Sequence, residues 1–267
     1  MRKYLSFFRI RFIAGLQYRA AAWAGIATQF AWGGMNILMF RAFYMENTDV
    51  FPMSFDSLSS YIWLQQAFLA LFMAWFFDSE IFDCIVSGNI AYELCRPIDI
   101  YNMWFTKNTA TRLSRAVLRC LPILIFAAVL PPPYGISLPV DCLSFLLFLV
   151  SMILGLFVIV AFSMLVHACA FFTVSPKGIR VLATSVIEFF SGALIPIPFF
   201  PLWLQPFIYA LPFASMQNTP FLIYTGYLSG TEALKSIALQ IVWLSVMWCA
   251  GKLIFRYALK KVVVQGG

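Results

Sequence analysis

The chain has 267 residues, 62% of them hydrophobic and 11% charged, with a formal net charge of +7. A soluble domain carries about 45–50% apolar and about 25% charged residues, so charges this sparse exclude a solvated surface and indicate an integral membrane protein. The excess of 18 Lys and Arg over 11 Asp and Glu then marks one side of a bilayer rather than a nucleic-acid partner.

Residues 1–18 open the chain as a basic segment. They lack the small-residue cleavage pattern of a secretory leader, so none is expected to be removed. Arg2, Ser6 and Arg9 share one helical face, and Leu5, Phe8 and Phe12 line another. This spacing predicts an amphipathic helix lying on the inner leaflet, with Arg11 snorkelling from the opposite side. Apolar stretches follow at 20–43, 59–77, 113–130, 142–172, 181–195 and 234–254, each read as a membrane span. The third carries Arg115 and Arg119 in its first half. The fifth is only about 22 Å long as a helix, too short to cross alone.

With the N-terminus inside, sixteen of the 18 basic residues fall on one face: Arg2, Lys3, Arg9, Arg11 and Arg19; Arg96, Lys107, Arg112, Arg115 and Arg119; Lys177 and Arg180; Lys252, Arg256, Lys260 and Lys261. Only Arg41 and Lys235 lie elsewhere, and the outer loops carry the acids Glu46, Asp49, Asp56 and Asp141. Basic loops resist translocation. The pattern therefore predicts an all-α integral membrane protein of six transmembrane helices, both termini cytoplasmic, with 1–267 forming a single transmembrane domain.

The stretch from Asp78 to Arg112 is the longest inner segment. Asp78 and Glu80 suit the start of a helix leaving the second span. Ser87-Gly88-Asn89 signals a turn, and Ile90 to Cys95 makes a short amphipathic piece that Pro97 ends. Such a piece suits either docking on a soluble partner or lying on the lipid surface. After the fifth span, Pro196, Pro198, Pro201, Pro206, Pro212 and Pro220 forbid one continuous helix. Short re-entrant or interfacial helices are expected there, with Trp203 and Tyr209 at headgroup depth.

Glu188 lies inside a span, where a charge is either a functional contact or a partner of Arg115 or Arg119. His167 reads as a packed, hydrogen-bonded residue. Gln29, Asn36, Gln65 and Gln66 either line a path or join helices. The six cysteines form no C-x-x-C pair, and no metal site is indicated. A G-x-x-x-x-G-K-[ST] loop is absent, so the chain carries no nucleotide-binding domain of that kind. No H-E-x-x-H or G-x-S-x-G motif supports catalysis.

The layout resembles the permease subunits of ABC-2-type ATP-binding-cassette exporters. The resemblance rests on Ser-Gly-Asn-Ile-Ala-Tyr-Glu-Leu-Cys-Arg-Pro-Ile-Asp-Ile-Tyr (87–101) and Phe-Ser-Gly-Ala-Leu-Ile-Pro-Ile-Pro-Phe-Phe-Pro (190–201). Leu-Pro-Phe (211–213) and Pro-Phe-Leu-Ile-Tyr-Thr-Gly (220–226) extend it over nearly the whole chain. It implies a non-catalytic subunit in a bacterial cytoplasmic membrane, paired with a second copy or a related permease. Separate ATP-binding-cassette ATPase subunits would hold the ATP and Mg; this chain would bind no cofactor and no nucleic acid. A coupling helix between spans 2 and 3 would use Gly88, Asn89, Tyr92, Glu93, Arg96 and Pro97. A translocation path or gate would involve Gln65, Gln66, Glu188, Ser191, Pro196, Pro198 and Pro201. Apolar, aromatic spans favour export of an amphipathic peptide, antibiotic or lipid. Two other readings stay open on the residues alone: an ATP-independent secondary transporter or channel, or a membrane assembly subunit without a transport path.

Overall fold

The computed structural model describes residues 2–17, 19–46, 51–173 and 175–261. Met1, Tyr18, residues 47–50 with Asp49 among them, Val174 and residues 262–267 lie outside the described residues. Every regular element among the described residues is helical.

Helix α1 (Arg2–Leu16) leads into α2 (Arg19–Glu46). The buried positions of α2 are Ala22, Ile26, Gln29, Gly33, Ile37, Phe40 and Tyr44, spaced by three or four as one helical stripe. Gly33 sits where a Cβ would fall 2.9 Å from the Trp63 ring, so it sets how closely α2 meets the next helix. That helix, α3 (Phe55–Ala67), starts at Ser54, whose hydroxyl accepts from Ser57 N–H, and is buried from Leu58 onward.

The 59–77 stretch is not one span. Helix α3 stops at Phe68, α4 (Leu69–Phe72) adds a single turn, and the chain runs on without helix to Asp78. Nothing in the apolar run signals this break; its cause lies on a helix distant in sequence, described below. Asp78 then caps α5 (Ser79–Val86) by accepting from Glu80 N–H at 3.0 Å, as its acid at a helix start suggests. A turn through Gly88, at φ +76°, joins α6 (Ile90–Leu94). Only glycine takes that backbone geometry without strain.

Helix α7 (Ile100–Val129) begins thirteen positions before the expected third span, with Asp99 accepting from Asn102 N–H at 2.8 Å. Charge conceals this extension from hydropathy, because Lys107 and Arg112 sit in it while being buried. Helix α1 lies along the first half of α7. Lys3 Nζ donates to Pro97 O at 2.9 Å near one end. At the other end a Cβ on Gly15 would overlap the Ser114 side chain. Tyr4 and Phe7 pack on a cluster containing Ile81, Ile90, Tyr101 and Trp104. The edge turned to the bundle is thus Tyr4, Phe7, Arg11 and Gly15, not the Leu5–Phe8–Phe12 face. Leu5 is 70% exposed, and Phe8 and Phe12 stack on each other at 5.8 Å.

Helix α8 (Cys142–Cys169) is capped by Asp141, which accepts from Ser144 N–H at 2.6 Å. It runs through the middle of the core, packed by α12 (Gly230–Lys261) and by the short α11 (Asn218–Tyr224). All of α11 is buried. Its approach requires Gly155, where a Cβ would collide with the Met216 carbonyl. Gln240 fastens α12 to this centre: its Nε2 donates to Ser151 O and Ser215 O at 3.1 and 2.8 Å, and its Oε1 accepts from Ser151 Oγ. Helix α9 (Pro176–Phe190) buries only Ala183 and Ile187. Beyond it the proline-rich stretch forms a 3-10 turn at Ile197–Phe199 and α10 (Gln205–Ala210), the short helices that the prolines demand. Among the described residues two helical segments, Cys142–Phe172 and Gly230–Lys260, meet the length and hydropathy of a membrane crossing, with mean hydropathies of 3.0 and 1.7.

Candidate functional site

Two polar constructions hold the α3–α4 segment, one at its C-terminal end and one at its middle. The first roots the α5–α6 hairpin in the bundle. Arg112 of α7 is fully buried. Its guanidinium donates to Leu71 O at 2.8 Å, Met73 O at 3.1 Å and Phe76 O at 2.9 Å. Asn108 Oδ1 accepts its Nε at 2.9 Å, one turn earlier on the same helix. The carbonyls at a helix end and in buried extended chain have no intrahelical donors. A guanidinium offers five. Arg112 therefore supplies the bonds that let the chain leave helix at Phe72 while still inside the protein.

One turn and a residue before Arg112, Lys107 Nζ meets Asp78 Oδ2 at 2.8 Å and Glu80 Oε2 at 2.5 Å. The Asp78 carboxylate thus caps α5 and binds α7 at once. His167, in the last turn of α8, is fully buried: Nδ1 faces Ser163 O at 2.6 Å and Nε2 faces Asp78 O at 3.3 Å. Phe82 of α5 lies 4.5 Å from its ring. The start of α5 is consequently tied to α7 by charge and to α8 by His167.

Beyond this root the hairpin projects. Asn89 and Arg96 are exposed, Tyr92 is 75% exposed and Leu94 44%. Glu93 and Arg96 pair with each other at 3.3 Å, and the Pro97 carbonyl is taken by Lys3. All six residues expected at a coupling helix lie in this hairpin or at its exit. The helix itself is shorter than the 88–97 stretch and is preceded by α5. Cys84, on the inner side of α5, has its thiol pKa raised, chiefly by burial and next by the Glu93 charge.

The second construction joins the middle of α3 to the chain that follows α9. Gln65 donates from Nε2 to Ala193 O, and the single Tyr61 Oη–H is shared between Gly192 O at 3.2 Å and Asn218 Oδ1 at 3.0 Å. Asn218 Oδ1 also accepts from Ile197 N–H at 3.2 Å, and Gln217 Nε2 donates to Ser191 Oγ at 3.1 Å. Gln205 Nε2 donates to Pro198 O and Phe200 O at 2.9 and 2.8 Å. Gly192, at φ +76°, has no room for a Cβ between Tyr61 Oη and Asn218. Of the expected path residues, Gln65 and Ser191 meet in this seam, with Pro196 and Pro198 buried beside it. Gln66 turns toward Gly33 of α2. Pro201 is exposed, and Glu188 is half-buried on α9. No ion pair joins Glu188 to Arg115 or Arg119 among the described residues. Arg115 lies over the Phe76 ring at 4.4 Å, and Arg119 packs against Gly25.

Sequence reasoning missed Arg112, Lys107, Tyr61 and Asn218. The two basics were legible only as charges on one side of a membrane. For the other two, the hydroxyl and amide in otherwise apolar runs were the only signal.

A family profile described as ABC-2 family transporter protein matches residues 30–266. The chain belongs to this family. No curated protein matches it. As an ABC-2 transporter protein it is a membrane-embedded transport permease, of a kind that performs no covalent chemistry and generally associates with an ATPase subunit.

Proposed function

We propose that this ABC-2 permease exports an amphipathic cargo across a bacterial cytoplasmic membrane, driven by ATP hydrolysis on separate ATPase subunits that hold the nucleotide and Mg. In this reading six spans cross the bilayer: α2, α3 with α4, α7, α8, α9 extended by the chain after it, and α12. Both termini and the α5–α6 hairpin face the cytoplasm, an orientation that the one-sided basic residues favour. Two permeases, identical or related, enclose the path, and the Tyr61–Gln65–Asn218 seam closes its outer end.

The observation that carries the reading is the hairpin itself. Its tip presents Tyr92 and Leu94 to solvent, while Lys107, Asp78 and His167 bind its base to α7 and α8. A rigidly rooted tip with exposed apolar anchors suits a groove on a soluble ATPase and transmits motion of that groove to the spans. A tyrosine that serves as a hot spot at an interface carries about 2 kcal/mol or more. Replacing Tyr92→Asp and Leu94→Asp together should abolish co-isolation with an ATP-binding-cassette ATPase while the chain stays folded. Co-isolation at wild-type yield would reject the docking role.

A further inference from the structure

A cavity of about 560 Å³ lies between α1, the start of α2, the non-helical stretch around Phe76 and α7. Lys107, Thr111, Arg115 and Arg119 recur every fourth residue of α7 and so share one face, spanning about 18 Å. All four line the cavity, and Arg11 of α1 faces them. The carboxylates in its wall, Asp78 and Glu80, are both paired with Lys107. Glu80 lies 4.0 Å from Arg11, whose side chain is 41% exposed. The acids thus neutralise one end of the stripe, and positive charge is left in excess toward Arg115.

Arg115 is half-buried, and among the described residues no carboxylate pairs with it; the Phe76 ring covers it at 4.4 Å. A partly desolvated guanidinium gains most from an anion that matches its planar fork, and phosphate oxygens do so. Among the described residues the rest of the wall is small or apolar apart from Ser79: Ala14, Gly15, Ala22, Phe77 and Leu118. A volume of this size fits the range of small-molecule sites, and the mixture of basic stripe and apolar wall suits a polar group attached to an apolar body.

We propose that this cavity binds a phosphate of net negative charge, a monoester or free phosphate rather than the zwitterionic phosphodiester of phosphatidylcholine, with Arg115 as the principal partner and Arg119 and Arg11 beside it. The inference deepens the exporter reading and rests on its orientation, which puts the cavity at headgroup depth in the cytoplasmic leaflet. A lipid phosphate then reaches it from the membrane, and a soluble phosphate from the cytoplasm.

The test uses the full chain in phosphatidylcholine nanodiscs doped with phosphatidic acid, with retained lipid measured by native mass spectrometry. Wild type should retain phosphatidic acid over phosphatidylcholine. Arg115→Gln and, separately, Arg11→Gln should each lower that retention about tenfold. Arg115→Lys should recover part of it, and Lys252→Gln on α12 should change nothing. Resistance to excess inorganic phosphate supports the site with a lipid headgroup as ligand. Displacement by inorganic phosphate supports it with a soluble anion. Arg115→Gln and Arg11→Gln chains that melt like wild type yet retain phosphatidic acid unchanged overturn the proposal, as does equal retention of the two lipids by wild type. ATPase co-isolation, which depends on Tyr92 and Leu94, is read in the same preparations. It separates failure of this site from failure of the exporter reading.

Discussion

Replacing Arg112→Met is the sharpest test of how the bundle tolerates its break after Phe72. The substitution keeps much of the volume but removes the donors for Leu71 O, Met73 O and Phe76 O. A buried acceptor left without a donor costs about 1–3 kcal/mol. At the low end, three carbonyls lose about 3 kcal/mol, a large share of the 5–15 kcal/mol that holds a typical domain. Removing a buried charge also relieves desolvation, and replacing a whole buried ionic group by apolar residues is often neutral. That relief does not decide the sign here, because the carbonyls remain and only their donor is taken away. A loss near 3 kcal/mol lowers the melting temperature by about 6–12 °C in a chain of this size. The assay is thermal unfolding of the purified chain in detergent, followed by helical circular dichroism. Arg112→Lys should fall between wild type and Arg112→Met, since an ammonium is a point donor rather than a fork. An Arg112→Met chain melting within a degree or so of wild type would refute the bracing role.

Three further outcomes follow from the packing. Lys107→Met leaves Asp78 buried without its cation and should cost about 3–5 kcal/mol; adding Asp78→Asn should restore part of that loss, a coupling measured by chemical denaturation of the four chains in a double-mutant cycle. Gly155→Ala, which meets the Met216 carbonyl, should cost about 1–3 kcal/mol, whereas Gly34→Ala, with nothing near its Cβ, should stabilise by up to about 1 kcal/mol; melting temperatures distinguish the two. Asp141 has its carboxyl pKa lowered, first by the Ser144 hydroxyl and then by its N–H. Its stabilisation is therefore present above the ordinary carboxylate pKa and lost as pH falls through the lowered one, so Asp141→Asn should flatten the acid side of the stability profile.

Much of the architecture is written in hydropathy and punctuation. The apolar runs mark α2, α8 and α12, the prolines between 196 and 220 mark the broken stretch, and Asp78 announces the start of α5. What escapes is set by contacts between segments far apart in sequence. The break after Phe72 depends on Arg112, about forty positions later, donating to three carbonyls. The early start of α7 is hidden because Lys107 is charged yet buried, and it is tolerated only through Asp78 and Glu80. Helix α1 shows an amphipathic pattern suited to a membrane surface, but which edge meets the protein is decided by Gly15 fitting Ser114. The coupling residues from Gly88 to Pro97 were legible as a turn and a short helix. Their attachment to the bundle was not, since it runs through residues outside that motif.

The central claim is that the α5–α6 hairpin is where ATPase motion enters this permease. Site-specific cross-linking tests it most directly. The partner ATPase is co-expressed with a chain whose own cysteines are replaced and which carries Asn89→Cys, Tyr92→Cys or Leu202→Cys. The account predicts cross-links from positions 89 and 92 whose yield changes with nucleotide, and none from position 202 at the opposite end. Cross-links from position 202, or none from 89 and 92 in a complex that still hydrolyses ATP, would contradict it.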